Sequence, residues 1–138
     1  MVNSIGIFLI CYGLFAIIYY IFKGQPSWIF WFCYLAMILI GIGALKKDGV
    51  LIASQLNLLI FPLIFWIIDF IFQFLAKKPL WGITDYFFEN IYFGARIISL
   101  EHFFLVPLGL IVLYFIRLKR NNSWMISIVQ VFSVYLFM

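Results

Sequence analysis

"VLIASQLNLLIFPLIFWIIDFIFQFL", Val50–Leu75, carries a single ionisable side chain, Asp69. It exceeds the about 20 apolar residues that an α-helix needs to cross a bilayer. A stretch of this length and polarity reads as a membrane span, and the rest of the chain agrees with it. Hydrophobic residues make up 67% of the 138 positions and charged residues only 10%, against roughly one quarter charged in soluble domains.

Working outward, three further runs of spanning length occur at Ser4–Phe22, Ser27–Leu45 and Ile97–Ile116, and a shorter fifth starts at Ser123 and continues to the last residue. The expected fold is therefore all-α: a polytopic membrane helical bundle of about five transmembrane helices, one domain over residues 1–138. "KGQPS" places Pro26 just before the second helix, where its missing N–H costs nothing. "KKDG" and "RLKRNN" are tight connections, and links this short make neighbouring helices antiparallel. The third and fourth helices are joined instead by "AKKPLWGITDYFFENIYFGA", with Trp81, Tyr86, Phe87, Phe88, Tyr92 and Phe93 among Asp85 and Glu89. Trp and Tyr favour the membrane–water boundary, so this segment is expected to rest at the headgroups, and a long connection is also a candidate lid. The final "QVFSVYLFM" stops in mid-hydrophobic run, as a fragment of a longer protein would.

The N-terminal run has no Lys or Arg before it, is too long for a signal-peptide core and lacks a cleavage site, so it reads as a retained span. Val2 excludes N-myristoylation. The net charge of +4 comes from basic residues scattered at span ends, which anchor helices at headgroups and do not form a nucleic-acid surface. Lys46, Lys47, Arg117, Lys119 and Arg120 gather on one face and Lys23, Lys77, Lys78 and Arg96 on the other, which slightly favours the first face, with the N-terminus, as cytoplasmic. "GIGALKKDG" lacks the order of a phosphate loop, and "NNS" at Asn121–Ser123 lies too close to two spans to count as a glycosylation site. Cys11 and Cys33 have no C-x-x-C spacing and His102 is the only histidine, so neither a zinc site, another metal site, a cofactor motif nor a disulfide framework is indicated.

Ionisable residues inside spans face the bundle interior or a cavity. His102 lies about six residues into its helix and Asp69 about six before the end of the third, each ~9 Å below the same membrane face at 1.5 Å per residue. Cys33 reaches that depth on the second helix. Gln55, Pro62, Trp66, Asp69 and Gln73 form a polar stripe, within about 40° of one line. Ser99 and His102 are i,i+3 neighbours, and Glu101 is expected to project about 100° away, toward the rim or another helix.

Cys, His and Asp in one layer suit acyl transfer: an imidazole takes the proton of a buried thiol, and a carboxylate orients the imidazole. Cys33, His102 and Asp69 are accordingly the candidate catalytic residues. Three plainer readings stand beside this one. Cysteine also serves as a small apolar filler, a reading open to Cys33 and stronger for Cys11; His102 could pair with a carboxylate for packing; Asp69 and Gln73 could clamp two helices. A small binding or transport component, holding a polar ligand or ion along Gln55, Asp69 and Gln73, is the alternative function.

"WFCYLAMILIGIGALKK" and "SLEHFFLVPLGLIVLYFIRLKRNNSW", with the polar-studded span between them, resemble the androgen-induced membrane hydrolase family and related integral membrane acyltransferases and bacterial membrane proteins, over roughly Trp31–Trp124. The resemblance implies a multi-helix membrane enzyme acting on lipid esters, such as fatty-acid esters of hydroxy fatty acids or phospholipid acyl chains. It implies Cys33 as nucleophile and His102 as general base. Asp69 has no assured counterpart in that family and rests on the depth argument. Members of the family have further spans after the histidine, whereas this chain stops in its fifth. Membrane lipids are the expected partners, and the expected location is integral and multi-pass.

Overall fold

The computed structural model describes residues 1–24, 32–89, 93–118 and 122–137. The start of the second expected span, with Pro26 and Ser27, lies outside the described residues, as do Tyr92, Lys119, Arg120 and Asn121. Seven helical segments follow in order: α1 Val2–Phe22, α2 Phe32–Lys46, α3 Gly49–Ala76, α4 Asp85–Phe88, α5 Phe93–Ser99, α6 Glu101–Ile116 and α7 Ser123–Phe137. Among the described residues there is no strand, so the all-α bundle read from the apolar runs is what forms.

α1, α3 and the α5–α6 pair, Phe93–Ile116, are each long and apolar enough to cross a membrane. α2 and α7 are shorter apolar helices. The outside of the bundle carries exposed Phe61, Phe65, Phe72, Tyr114 and Phe132. Large exposed apolar surface of this kind belongs in lipid.

α2 packs between α1 and α3, and α3 also meets α6 and α7. The turn from α2 to α3 is tight because Lys47 adopts a left-handed backbone (φ 55). The next residue, Asp48, caps α3 by accepting from the N–H groups of Val50 and Leu51 at 3.0 and 3.2 Å. That cap satisfies two donors that every helix start leaves free. α1 and α2 touch backbone to backbone. A Cβ on Gly41 would lie 2.6 Å from the Gly6 carbonyl oxygen, and one on Gly6 would lie 3.0 Å from the Gly41 carbonyl oxygen. Without a hydrophobic force between helices in lipid, such close approach is how they gain dispersion contact. Leu9, Met37, Ile40, Ile52, Leu105 and Val112 fill the centre, fully buried.

The fourth expected span differs from the single helix Ile97–Ile116. Helix begins earlier, at Phe93, and breaks at Leu100 before resuming at Glu101. At the break the Phe103 N–H bonds to the Leu100 carbonyl at 3.1 Å, three residues back, where a continuous α-helix would take the Ser99 carbonyl four back. The Ser99 carbonyl is released to another donor. The Ile97 carbonyl accepts from Leu100 N–H at 3.1 Å and from the Tyr12 hydroxyl of α1 at 2.6 Å, which pins the break to the bundle.

Candidate functional site

The released Ser99 carbonyl is taken by His102, whose Nδ1 lies 2.8 Å away. A carbonyl can only accept, so Nδ1 carries the proton and Nε2 is left with its lone pair. Facing Nε2 at 3.8 Å is Sγ of Cys33, in the first turn of α2 and 69 residues earlier in the chain. The thiol thus donates to an imidazole whose tautomer is fixed by a helix break. Trp66 of α3 stacks on the His102 ring with centroids 4.4 Å apart and planes 16° from parallel. Its indole N–H donates to the Tyr86 hydroxyl at 2.9 Å. Tyr86 belongs to α4, so the aromatic connection reaches the histidine through one intervening ring.

Cys33 and His102, expected at one depth, are thus in contact. Asp69 is not with them. Oδ1 of Asp69 accepts from the N–H groups of Leu80 and Trp81 at 3.0 and 2.7 Å, and Oδ2 from the N–H and hydroxyl of Thr84, both at 2.8 Å. Beside it Gln73 donates to Asp85 at 3.0 Å, and its carbonyl lies 2.8 Å from the Thr84 hydroxyl. Asp69 is thus the anchor of the connection and does not orient His102. Depth arithmetic could not anticipate that the chain after α3 folds back and offers Asp69 its own N–H groups.

The carboxylate at the pair is Glu101. It is fully buried, with Oε1 3.9 Å from His102 Nδ1 and neither oxygen hydrogen-bonded among the described residues. Reactive atoms of Cys33, Glu101 and His102 all lie within 4.8 Å of one another. Of the two places expected for Glu101, the rim or another helix, it takes the second, with its carboxylate within 4.8 Å of the Cys33 thiol of α2. The signal for Glu101 was nonetheless present, since an ionisable residue inside a span is a site candidate whichever way a helical wheel turns it.

The polar stripe of α3 divides between two unrelated partners. Gln55, one turn or more away from the others, donates to Ser54 at 3.0 Å and to Gln130 of α7 at 2.7 Å, and the Ser127 hydroxyl donates to the Ser54 carbonyl at 2.8 Å. These bonds form a seam between α3 and α7, while Asp69 and Gln73 hold the connection. Cys11 is exposed on α1, away from any ionisable partner in the cluster. Compared with protein-family models, curated proteins and solved structures, the chain matches none.

Proposed function

We propose that the chain is an integral membrane enzyme that transfers acyl groups from lipid esters through a Cys33–His102 pair, set within five membrane passes in the cell membrane. The observation that carries the reading is the 3.8 Å approach of Sγ to a bare Nε2, with Nδ1 held on the Ser99 carbonyl. A desolvated thiol is a weak nucleophile, and it needs an adjacent base with its lone pair already directed at the proton.

The step balances with the residues present. The Cys33 proton passes to Nε2 as sulfur attacks the ester carbonyl carbon. The tetrahedral adduct collapses, breaking the ester C–O bond, and the departing alkoxide takes the proton back from Nε2. The resulting thioester is released to water, as in a hydrolase, or to a second lipid hydroxyl, as in a transferase, with His102 repeating both proton transfers. Glu101 supplies negative charge near the imidazolium that exists between them, the role that a carboxylate plays in such triads. An apolar exterior gives an acyl chain lateral access from the bilayer, and membrane lipids are the substrate class that this arrangement suits.

Labelling of the detergent-solubilised chain with a lipid-like chloroacetamide or fluorophosphonate probe tests the reading. Labelling lost in Cys33→Ala and His102→Ala and kept in Cys11→Ala is the expected outcome. Ester turnover persisting in a well-folded Cys33→Ala protein would end it.

A further inference from the structure

A buried carboxylate with no hydrogen-bond partner is costly, because a charge removed from water needs compensation by another charge or by donors. Among the described residues both oxygens of Glu101 are in that position, and the residue is fully buried. What surrounds it is a thiol and an imidazole nitrogen, with one atom from each of the three residues lying within 4.8 Å of the others. We propose that Cys33, Glu101 and His102 form a three-ligand site for a divalent transition ion of the zinc class.

Four features of the chemistry converge on it. Thiolate, imidazole and carboxylate are the donor set that zinc takes in proteins. Zn–S and Zn–N bonds of ~2.3 and ~2.0 Å at a tetrahedral angle put S and N about 3.6 Å apart, and Sγ and Nε2 stand at 3.8 Å. A histidine that binds metal through one nitrogen ordinarily donates its other N–H to a carbonyl or carboxylate, which fixes the ring; Nδ1 of His102 does this to Ser99. Finally, one thiolate, one carboxylate and a doubly charged cation sum to zero, which removes the cost of burying Glu101 as an anion. The carboxylate has to close in by roughly an ångström to reach bonding distance, a movement that no hydrogen bond opposes. Three protein ligands leave a fourth position open.

Neither the spacing of Cys33 and His102 along the chain nor the single histidine carries a metal signature; folding assembles the donors from α2 and α6. The site shares residues with the proposed acyl transfer without resting on it. A metal-bound thiolate has no proton for Nε2 to take, so metal binding and thiol reactivity are alternative states of the same three side chains. A zinc-class ion would therefore hold the enzyme inactive.

Cobalt(II) titration of the full-length, chelator-treated chain in detergent provides the test, because a cobalt–thiolate bond gives a charge-transfer absorption that carboxylate or imidazole ligation does not. The expected result is one Co²⁺ per chain, with that absorption abolished in the near-isosteric Cys33→Ser and with affinity weakened roughly 10-fold or more in Glu101→Gln and His102→Gln. Zinc should displace the cobalt and block labelling of Cys33 by the chloroacetamide probe. An unchanged cobalt spectrum in Cys33→Ser, unchanged affinity in Glu101→Gln, or full labelling at saturating zinc overturns the site. The two readings fail separately: a chain that binds cobalt through its thiolate but never labels when metal-free removes the acyl transfer alone, and His102-dependent labelling without cobalt binding removes the metal site alone.

Discussion

Asp69 and Glu101 are both fully buried carboxylates in membrane helices, and their surroundings are opposite. Asp69 accepts four hydrogen bonds, three from backbone N–H groups of the segment that follows its own helix and one from Thr84. Glu101 accepts none from the described residues. A carboxylate saturated by backbone donors has its charge compensated where it stands and fixes the path of the chain. One left bare beside a thiol and an imidazole has no donor to hold its charge, and a proton, a bound cation or a charge that develops during reaction compensates it. Titratable residues in a span are thus sorted by their hydrogen bonds, and depth alone does not sort them.

The largest effect that sharpens this contrast is loss of thiol reactivity. Because nucleophile and base act as one unit, Cys33→Ala or His102→Ala removes nearly all of the probe labelling, a drop of ~100-fold or more. Asp69→Asn keeps labelling wherever the protein stays folded. A folded Asp69→Asn chain that fails to label would return Asp69 to the reacting group and erase the distinction.

Stability separates the two carboxylates in the other direction. Asp69→Asn leaves one acceptor oxygen where two served four donors, so at least one buried N–H loses its partner and the charge-assisted bonds are lost. Thermal unfolding in detergent should register about 2–4 kcal/mol of destabilisation. Glu101→Gln removes an uncompensated charge and should leave metal-free stability unchanged or raise it by about 1 kcal/mol. Equal destabilisation by both substitutions would mean that Glu101 has a structural partner after all. Between these lies Gly41→Ala, whose added Cβ meets the Gly6 carbonyl at 2.6 Å. Forcing α1 from α2 should cost about 1–3 kcal/mol while leaving the α2–α6 contact at Cys33 in place.

How much of this was legible before folding differs for bundle and site. Long apolar runs determine helices in lipid because every backbone polar group must be satisfied within the segment, so α1 and α3 lie close to the runs expected of them. Cys33 and His102 meet, but the depth count does not account for it: the expected helix start at Ser27 lies outside the described residues, and the fourth span starts at Phe93, four residues before the Ile97 from which His102 was counted. Glu101 stayed undecided between the rim and another helix because a helical wheel gives a direction and not the neighbour that lies there, and nothing in "RIISLEHFF" marks Leu100 as the point where the ladder shifts from four residues back to three. Asp69 was misassigned for a different reason. Its partners are main-chain N–H groups, which every residue but proline possesses and no sequence motif announces.

The smallest expected effect concerns the bridge between the two regions. Trp66 faces both ways, stacking on His102 and donating its N–H to Tyr86 of the connection. Trp66→Phe keeps an aromatic face over the imidazole and removes the donor, leaving the Tyr86 hydroxyl short of one bond. A net hydrogen bond is worth about 1 kcal/mol, so unfolding should shift by that order and Cys33 labelling should change by only a few fold. Trp66→Ala removes the stack as well and leaves the ring held only by its polar contacts to Ser99 and Cys33, so labelling should fall further than the stability loss accounts for. If Trp66→Phe instead suppresses labelling as strongly as Trp66→Ala, the Trp66–Tyr86 bond governs the site, and the connection acts as its lid. If neither substitution changes labelling, the Ser99 carbonyl alone orients His102, and the anchor at Asp69 and the cluster at Glu101 are independent parts of the molecule.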